Sequence, residues 1–404
     1  MKNWQQNIPA RTKSTGGLKP AFRMAAPAAL NAQGKGLKTM VQNYFVYVGT
    51  FTNLKDGGHR SEGIYIFRLN GTESKLYPVG AVRGLLSPSF LALHPTGRYL
   101  YAVNEVKQFE GKIGGAISAF AIDRKTGGLT PLNRQFSRGA DPCYVSVDKE
   151  GRWLLASNYS GGNAIVYPIL PDGSLGKETA FVQHQGSGPN AVRQEAAHAH
   201  SIQMDPTNRF VLIADLGLDQ VVVYRLDLQK GTLAPNNPPG AKLPPGSGPR
   251  HLVFHPNQSW MYVANELNST VSVFACDLIN GRFDLLQTLS TLPEGFSEEN
   301  TVADIHLAHG GRWLFVSNRG HDSLASFAVD NLSGRLTALG HTPTGGQTPR
   351  NFNLDPSNNL LLAANQDSDS IVTFRLDAAT GTLTRTGEVT AVPRPVCVVF
   401  LPAE

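Results

Sequence analysis

Six side chains at two recurring places in this 404-residue chain could do chemistry: Arg250, Arg319 and Arg350, Glu105 and Glu266, and His200. Guanidinium groups grip carboxylate or phosphate oxygens in pairs, and a nearby carboxylate or imidazole moves protons. Together these residues suit an anionic, oxygen-rich small molecule. His198, His251, Asp304 and His321 stand beside the same positions and extend the candidate binding set. Metal ligation is the competing use. His198 and His200 in AHAH are two apart and share one face of a strand, and His251 with Asp304 would complete a ligand set. Abundant arginine argues against it, because it repels the cation and pairs with the carboxylate ligands. The expectation is therefore no metal and no cofactor. A structural alternative also stands: Arg250 and Glu266 as an exposed rim ion pair, worth about 0–1 kcal/mol.

What places these residues is a repeat of about fifty residues, the length of one small antiparallel sheet in a ring. PSFLALHPTGRYLYAVNE from Pro88, PCYVSVDKEGRWLLASNY from Pro142 and PRHLVFHPNQSWMYVANE from Pro249 are clear copies; AHSIQMDPTNRFVLIADL, VADIHLAHGGRWLFVSNR and PRNFNLDPSNNLLLAANQ follow the same plan. Each is an alternating run, a turn of the His/Asp-Pro-x-Gly kind and a second apolar run, which is hairpin grammar. A third run such as TVSVFACD, a glycine turn and a fourth segment complete about four strands per copy. The first copy lacks its opening strand: NYFVYVGT (43–50) and GIYIFRLN (63–70) supply only the second and third. PVCVVFLP (395–402) matches the missing one. The fold class expected is all-β, a seven-bladed β-propeller of four-stranded antiparallel blades, closed by the C-terminal strand joining the first blade.

In such a blade the start of the first strand and the end of the second lie on one rim. The first rim position, just after the repeated proline, reads Ser89, Cys143, His200, Arg250, Ala303, Arg350 and Val396. The second, just after the repeated Asn or Asp, reads Phe51, Glu105, Tyr159, Leu216, Glu266, Arg319 and Gln366. A purely structural ring would carry similar residues in every copy, so the charged ones mark function. Trp153, Trp260 and Trp313 recur at the opening of the second strand and read as packing between blades. His94 and His255 replace the turn Asp of other copies and read as turn residues.

The net charge of +5 is misleading. Residues 1–40 hold seven of the 36 cations and none of the 31 acids, so the remainder carries −2 and presents no case for nucleic acid. We read 1–40 as a basic, unstructured tail and 41–404 as the propeller domain. The tail has no apolar stretch long enough for a signal sequence or a membrane span. Cys143, Cys276 and Cys397 are too few and too scattered for a disulfide framework, which points to a reducing, cytoplasmic setting. Nothing demands an assembly larger than a monomer or a weak homo-oligomer.

SEGIYIFRLN, AHAHSIQMDP, ADLGLDQVVVYRLD, PRHLVFHP, VANELNSTV, SNRGHDSLASF and PRNFNLDP with LLAANQDSDSIVTF resemble the seven-bladed propeller lactonase family. That family groups bacterial 6-phosphogluconolactonases with fungal carboxy-cis,cis-muconate cyclases. The resemblance covers nearly all of the chain after the tail. It implies a metal-independent sugar-lactone hydrolase of the pentose phosphate pathway, or alternatively a muconate-lactonising enzyme, acting on a small anionic lactone. It also implies catalytic residues at His200, Arg250, Glu266 and Arg319, with His198 competing for the histidine role. In the hydrolase reading Arg250 and Arg319 hold the anion and the developing oxyanion, while Glu266 is general base and His200 protonates the leaving oxygen, or the two exchange roles. A third reading is a non-enzymatic interaction platform, since many propellers serve as one.

Overall fold

The computed structural model describes residues 43–52 and 61–403; the tail expected over 1–40 lies outside the described residues. Seven four-stranded antiparallel sheets are present. The innermost strands of neighbouring sheets touch all the way round, which makes the arrangement a closed ring. The first blade takes its innermost strand from the far end of the chain: Pro395–Pro402 pairs with Asn43–Thr50, from Tyr44 opposite Pro402 to Thr50 opposite Pro395. One addition was not expected, a two-stranded hairpin of Gln108–Phe109 and Lys112–Ile113 inserted in the second blade. Among the described residues no helix is long and apolar enough to cross a membrane.

Burial follows position in the blade. Second strands such as Trp153–Asn158, Phe210–Asp215 and Trp260–Asn265 are buried at every residue, because neighbouring blades cover both faces. Their near-continuous apolar sequences match that environment. The turns before them are fixed by local acceptors. Asp148 Oδ1 accepts the backbone N–H of Arg152 (2.6 Å) and Trp153 (2.7 Å), and Asp205 Oδ1 accepts those of Arg209 (2.7 Å) and Phe210 (2.6 Å). His255 takes the turn role through Nδ1, which accepts from Asn257 N–H at 3.2 Å.

The repeated tryptophans lock one blade to the next. Trp260 lies flat on Gly334 in the outer turn of the following blade, where φ is +69° and an added Cβ would stand 2.3 Å from the ring. Trp153 meets Gly231 in the same way. Only glycine combines that conformation with so close an approach. Gly334→Ala should therefore cost roughly 2–4 kcal/mol through strain and overpacking. Gly80→Ala, at a site with open space around the added carbon, should cost far less; denaturant melts of the two variants check this.

Candidate active site

A repeated backbone device aims the rim residues. At Ser87, Asp141, Gly248, Thr348 and Arg394 the chain is left-handed, with φ between 39° and 62°. A proline follows each, and then comes a residue without a ladder partner. Pro249 pairs with Asn265 and His251 with Ala264, so Arg250 is left over. Cys143, His200, Arg350 and Val396 are left over in the same manner. Such a bulge bends the strand and redirects its side chain. The first rim position is thus a ring of bulges.

The same device ties in the second rim position. Glu266 N–H donates to Gly248 O at 2.7 Å, Tyr159 to Asp141 O at 2.9 Å and Glu105 to Ser87 O at 3.0 Å. The Asn before each anchors the turn from the side: Asn104 Nδ2 donates to Leu86 O (3.0 Å) and Asn318 Nδ2 to Thr291 O (2.7 Å). Both rim positions therefore hold their side chains on a backbone fixed by its own hydrogen bonds.

They converge on a cavity of about 350 Å³ lined by Glu105, Cys143, Tyr159, Arg193, His200, Glu266, Thr301, Arg319 and Arg350. Glu266 is its electrostatic centre. Oε1 sits 2.6 Å from Arg193 Nη2, and Oε2 sits 3.0 Å from Arg250 Nε, 3.1 Å from Arg319 Nη2 and 3.8 Å from His200 Nε2. Burial opposes ionisation of Glu266, yet Arg319, Arg250, His200 and Arg193 outweigh it and hold its pKa well below the ordinary carboxylate range. Arg250 is 2% exposed and Glu266 4%, so the surface-pair alternative is overturned. The expected general-base role for Glu266 also weakens, because an anion so strongly stabilised is a poor proton acceptor.

His200 contrasts with it. Burial first, then Arg250, drives its pKa well below the usual value, so the imidazole is neutral at neutral pH. Its Nδ1 lies 3.8 Å from Cys143 Sγ. Arg350 lies over the Phe51 ring at 5.1 Å and, among the described residues, has no carboxylate at ion-pair distance. The Nε–H groups of Arg250 and Arg319 are buried, and among the described residues neither has a well-directed hydrogen-bond acceptor.

The remaining candidates fall elsewhere. Glu105 and Arg350 line the cavity, whereas His198, His251, Asp304 and His321 do not. His198 stacks on Tyr159 at 4.5 Å and lies 3.2 Å from Glu195. His321 bonds Ser323 Oγ at 2.6 Å and packs edge-on against Phe296. His251 and Asp304 line a second cavity of about 200 Å³ between the inner strands. There they form a buttress. Arg250 Nη1 donates to Ala303 O (2.6 Å) and to His251 Nε2 (3.2 Å), and His251 Nδ1–H donates to Asp304 Oδ1 at 2.7 Å. Arginine is only a donor, so His251 must accept at Nε2 and carry its proton on Nδ1. Asp304 also accepts from His306 Nε2 (3.0 Å) and Asn351 Nδ2 (2.5 Å). Among the described residues no group of three or more His, Cys, Asp or Glu is arranged to hold a metal ion.

Sequence reasoning missed Arg193, which belongs to neither rim position. It rides on segment 184–198, the longest connection between consecutive blades. Gln194, fully buried beside it, pins that segment through Leu216 O and Asp219 Oδ1, each at 2.8 Å. The unusual length of that connection was the available signal.

A family model described as lactonase, 7-bladed beta-propeller matches residues 45–400. The chain is a member of that family. It is 36% identical over 358 residues to a 6-phosphogluconolactonase of Bacillus subtilis, covering 89% of this chain and 98% of the relative. A 6-phosphogluconolactonase of Formosa agariphila is 36% identical over 78% of this chain and 88% of its own length. Among solved structures, the periplasmic gluconolactonase of Pseudomonas aeruginosa superposes with a TM-score of 0.83 at 33% identity, covering 90% of this chain and 100% of that one.

Within this lactonase ring the His251 buttress sets a pH dependence of stability. Burial and Arg250 push its pKa down to about 4, against partial relief from Asp304. Unfolded chain gains a proton near pH 6.5 that folded protein refuses until about pH 4, so stability falls as pH drops through that window. Thermal melts should show that loss, and the difference between pH 7 and pH 5 should shrink in His251→Gln.

Proposed function

We propose that this lactonase hydrolyses an anionic sugar lactone, with 6-phosphoglucono-δ-lactone as the preferred substrate. The observation that carries this reading is the charge of the cavity. Arg193, Arg319 and Arg350 line it, and Arg250 stands behind Glu266. Among the described residues only Glu105 and Glu266 stand against them, so a net positive site remains for a phosphate. Arg350, with no carboxylate at ion-pair distance among the described residues and supported by Phe51, is the cation best placed to take it. The names of the Bacillus and Formosa relatives support the same substrate class.

The chemistry follows from the groups present. Neutral His200 takes a proton from water as that water adds to the lactone carbonyl carbon, and the Glu266 carboxylate, 3.8 Å from its Nε2, stabilises the imidazolium that forms. The oxyanion that develops is met by the guanidinium group of Arg319, which lines the cavity, while Arg250, its Nε 3.0 Å from Glu266 Oε2, adds positive charge from behind. Glu266 holds those guanidinium groups in place and limits their mutual repulsion. His200, Arg250, Glu266 and Arg319 form the reacting set in this reading, with Glu105 and Arg350 on the substrate. No cofactor is required. The enzyme works as a monomer or weak oligomer in the cytoplasm, a reading supported by three unpaired cysteines.

A pH-stat assay with spontaneous ring opening subtracted tests the proposal. Turnover of 6-phosphoglucono-δ-lactone should exceed background, and Arg350→Met should cut the preference for it over unphosphorylated glucono-δ-lactone by roughly tenfold or more. Turnover of a carboxy-muconate with no lactone hydrolysis would replace the reading by the cyclase one. Glu266→Gln should lower kcat/KM and destabilise the fold, since removing one partner from a buried charge cluster typically costs about 3–5 kcal/mol; thermal melts beside the assay separate the two effects.

A further inference from the structure

The cavity holds two carboxylates in opposite surroundings. Glu266 has guanidinium nitrogens at 2.6, 3.0 and 3.1 Å. Glu105, at the equivalent rim position three blades away, has none at ion-pair distance among the described residues, and its Oε2 accepts the hydroxyl of Ser89. Contrasting environments push the pKa values of two carboxyl groups apart, and the one without close cations is the one able to carry a proton.

Hydrolysis of a lactone needs an acid. The departing ring oxygen is an alkoxide, which leaves slowly unless it is protonated as the bond breaks. Few groups in the cavity can supply that proton. The guanidinium groups hold theirs, half-buried Tyr159 has its pKa raised by desolvation and accepts from Arg193 at 3.2 Å, and burial pushes the Cys143 thiol far up. His200 is neutral and engaged with the incoming water.

We infer that Glu105 is the general acid that protonates the departing ring oxygen, opposite His200, in the lactone hydrolysis proposed above. The inference rests on that reading and adds a catalytic residue to it. Water's oxygen bonds to the carbonyl carbon while His200 takes its proton, and the carbonyl π pair moves to oxygen. That pair then re-forms the C=O bond. The ring C–O bond breaks with its electrons going to the ring oxygen, which receives the Glu105 proton. His200 returns its proton and Glu105 regains one through solvent, so lactone and water become hydroxy acid.

The surroundings of Glu105 favour the acid form. Burial raises its pKa, and Asp141 adds to the rise. Arg350, the Ser89 hydroxyl and Arg250 oppose it without reversing it. The neighbouring Cys143 thiol stays protonated and adds no charge. Activity that needs protonated Glu105 is lost as pH rises through that raised pKa, whereas the need for neutral His200 cuts activity only at low pH.

The test is kcat and KM of wild type, Glu105→Gln, Glu105→Asp and Ser89→Ala on 6-phosphoglucono-δ-lactone across pH, with background subtracted. Glu105→Gln should lower kcat by about 10²–10³, leave KM within about threefold and abolish the alkaline fall-off. Glu105→Asp should keep the fall-off at a reduced rate. Ser89→Ala should move it to higher pH, because the lost hydroxyl bond favours the charged carboxylate. A Glu105→Gln enzyme that keeps the alkaline limb, or that changes only in KM, overturns the assignment while wild-type turnover leaves the lactonase reading intact. Absence of wild-type turnover on any lactone overturns both.

Discussion

Closure of the ring is the constraint on which everything else rests. Each second strand is apolar on both faces and needs a blade on either side, so an open array would expose two sheet faces and a strand edge. The pairing of Pro395–Pro402 with Asn43–Thr50 removes that edge. It also creates the site. Residues as distant in sequence as Glu105 and Arg350 share a cavity only because the seventh blade is brought against the first, which adjoins the second.

On that frame the cavity solves an electrostatic problem. Several guanidinium groups in a confined, water-poor space repel one another, and each loses hydration that only a close counter-charge replaces. Glu266 supplies one carboxylate to three of them. The solution leaves a surplus of positive charge and fixed donors aimed at the cavity, an environment set up for an anion and for a developing oxyanion. It has a chemical consequence as well. The partners that hold Glu266 ionised take away its basicity, so in the proposed reaction proton transfer falls to His200 and to the less constrained Glu105.

The ring, its blade count and its closure were legible because a propeller repeats its own instructions. Six registers of one turn and one Asn or Asp reinforce one another, and the partial first copy points to its missing strand. The two rim positions were legible for the same reason: residues that differ where the repeat is otherwise constant stand out. The direction of the side chains was not. The bulge at Arg250 depends on which residue skips the ladder, and alternation alone does not reveal a skipped partner. His251 and Asp304 were therefore placed with the substrate, while the register turns them beneath Arg250 as its support. Arg193 escaped because it comes from a connection rather than a strand, where no periodicity operates. The depth of Arg250 and Glu266 was likewise hidden, since an exposed pair and a buried hub share the same residue types.

The division of labour among blades follows from the same geometry. The left-handed residue, proline and bulge hold a rim slot whatever side chain fills it, so the slot can change without disturbing the ladder. The closing blade fills its slots with Val396 and Phe51, both apolar, where the two chain ends meet and a buried charge would weaken the seam. Ionic slots lie on the other blades, whose strands are continuous in sequence and tolerate the cost of desolvated charge. Phe51 joins the two tasks: its ring faces the guanidinium of Arg350 at 5.1 Å. A cation held against an aromatic face keeps most of its charge available to a ligand, which a carboxylate partner would neutralise. The seam that closes the ring thereby also steadies the cation that gives the cavity its surplus.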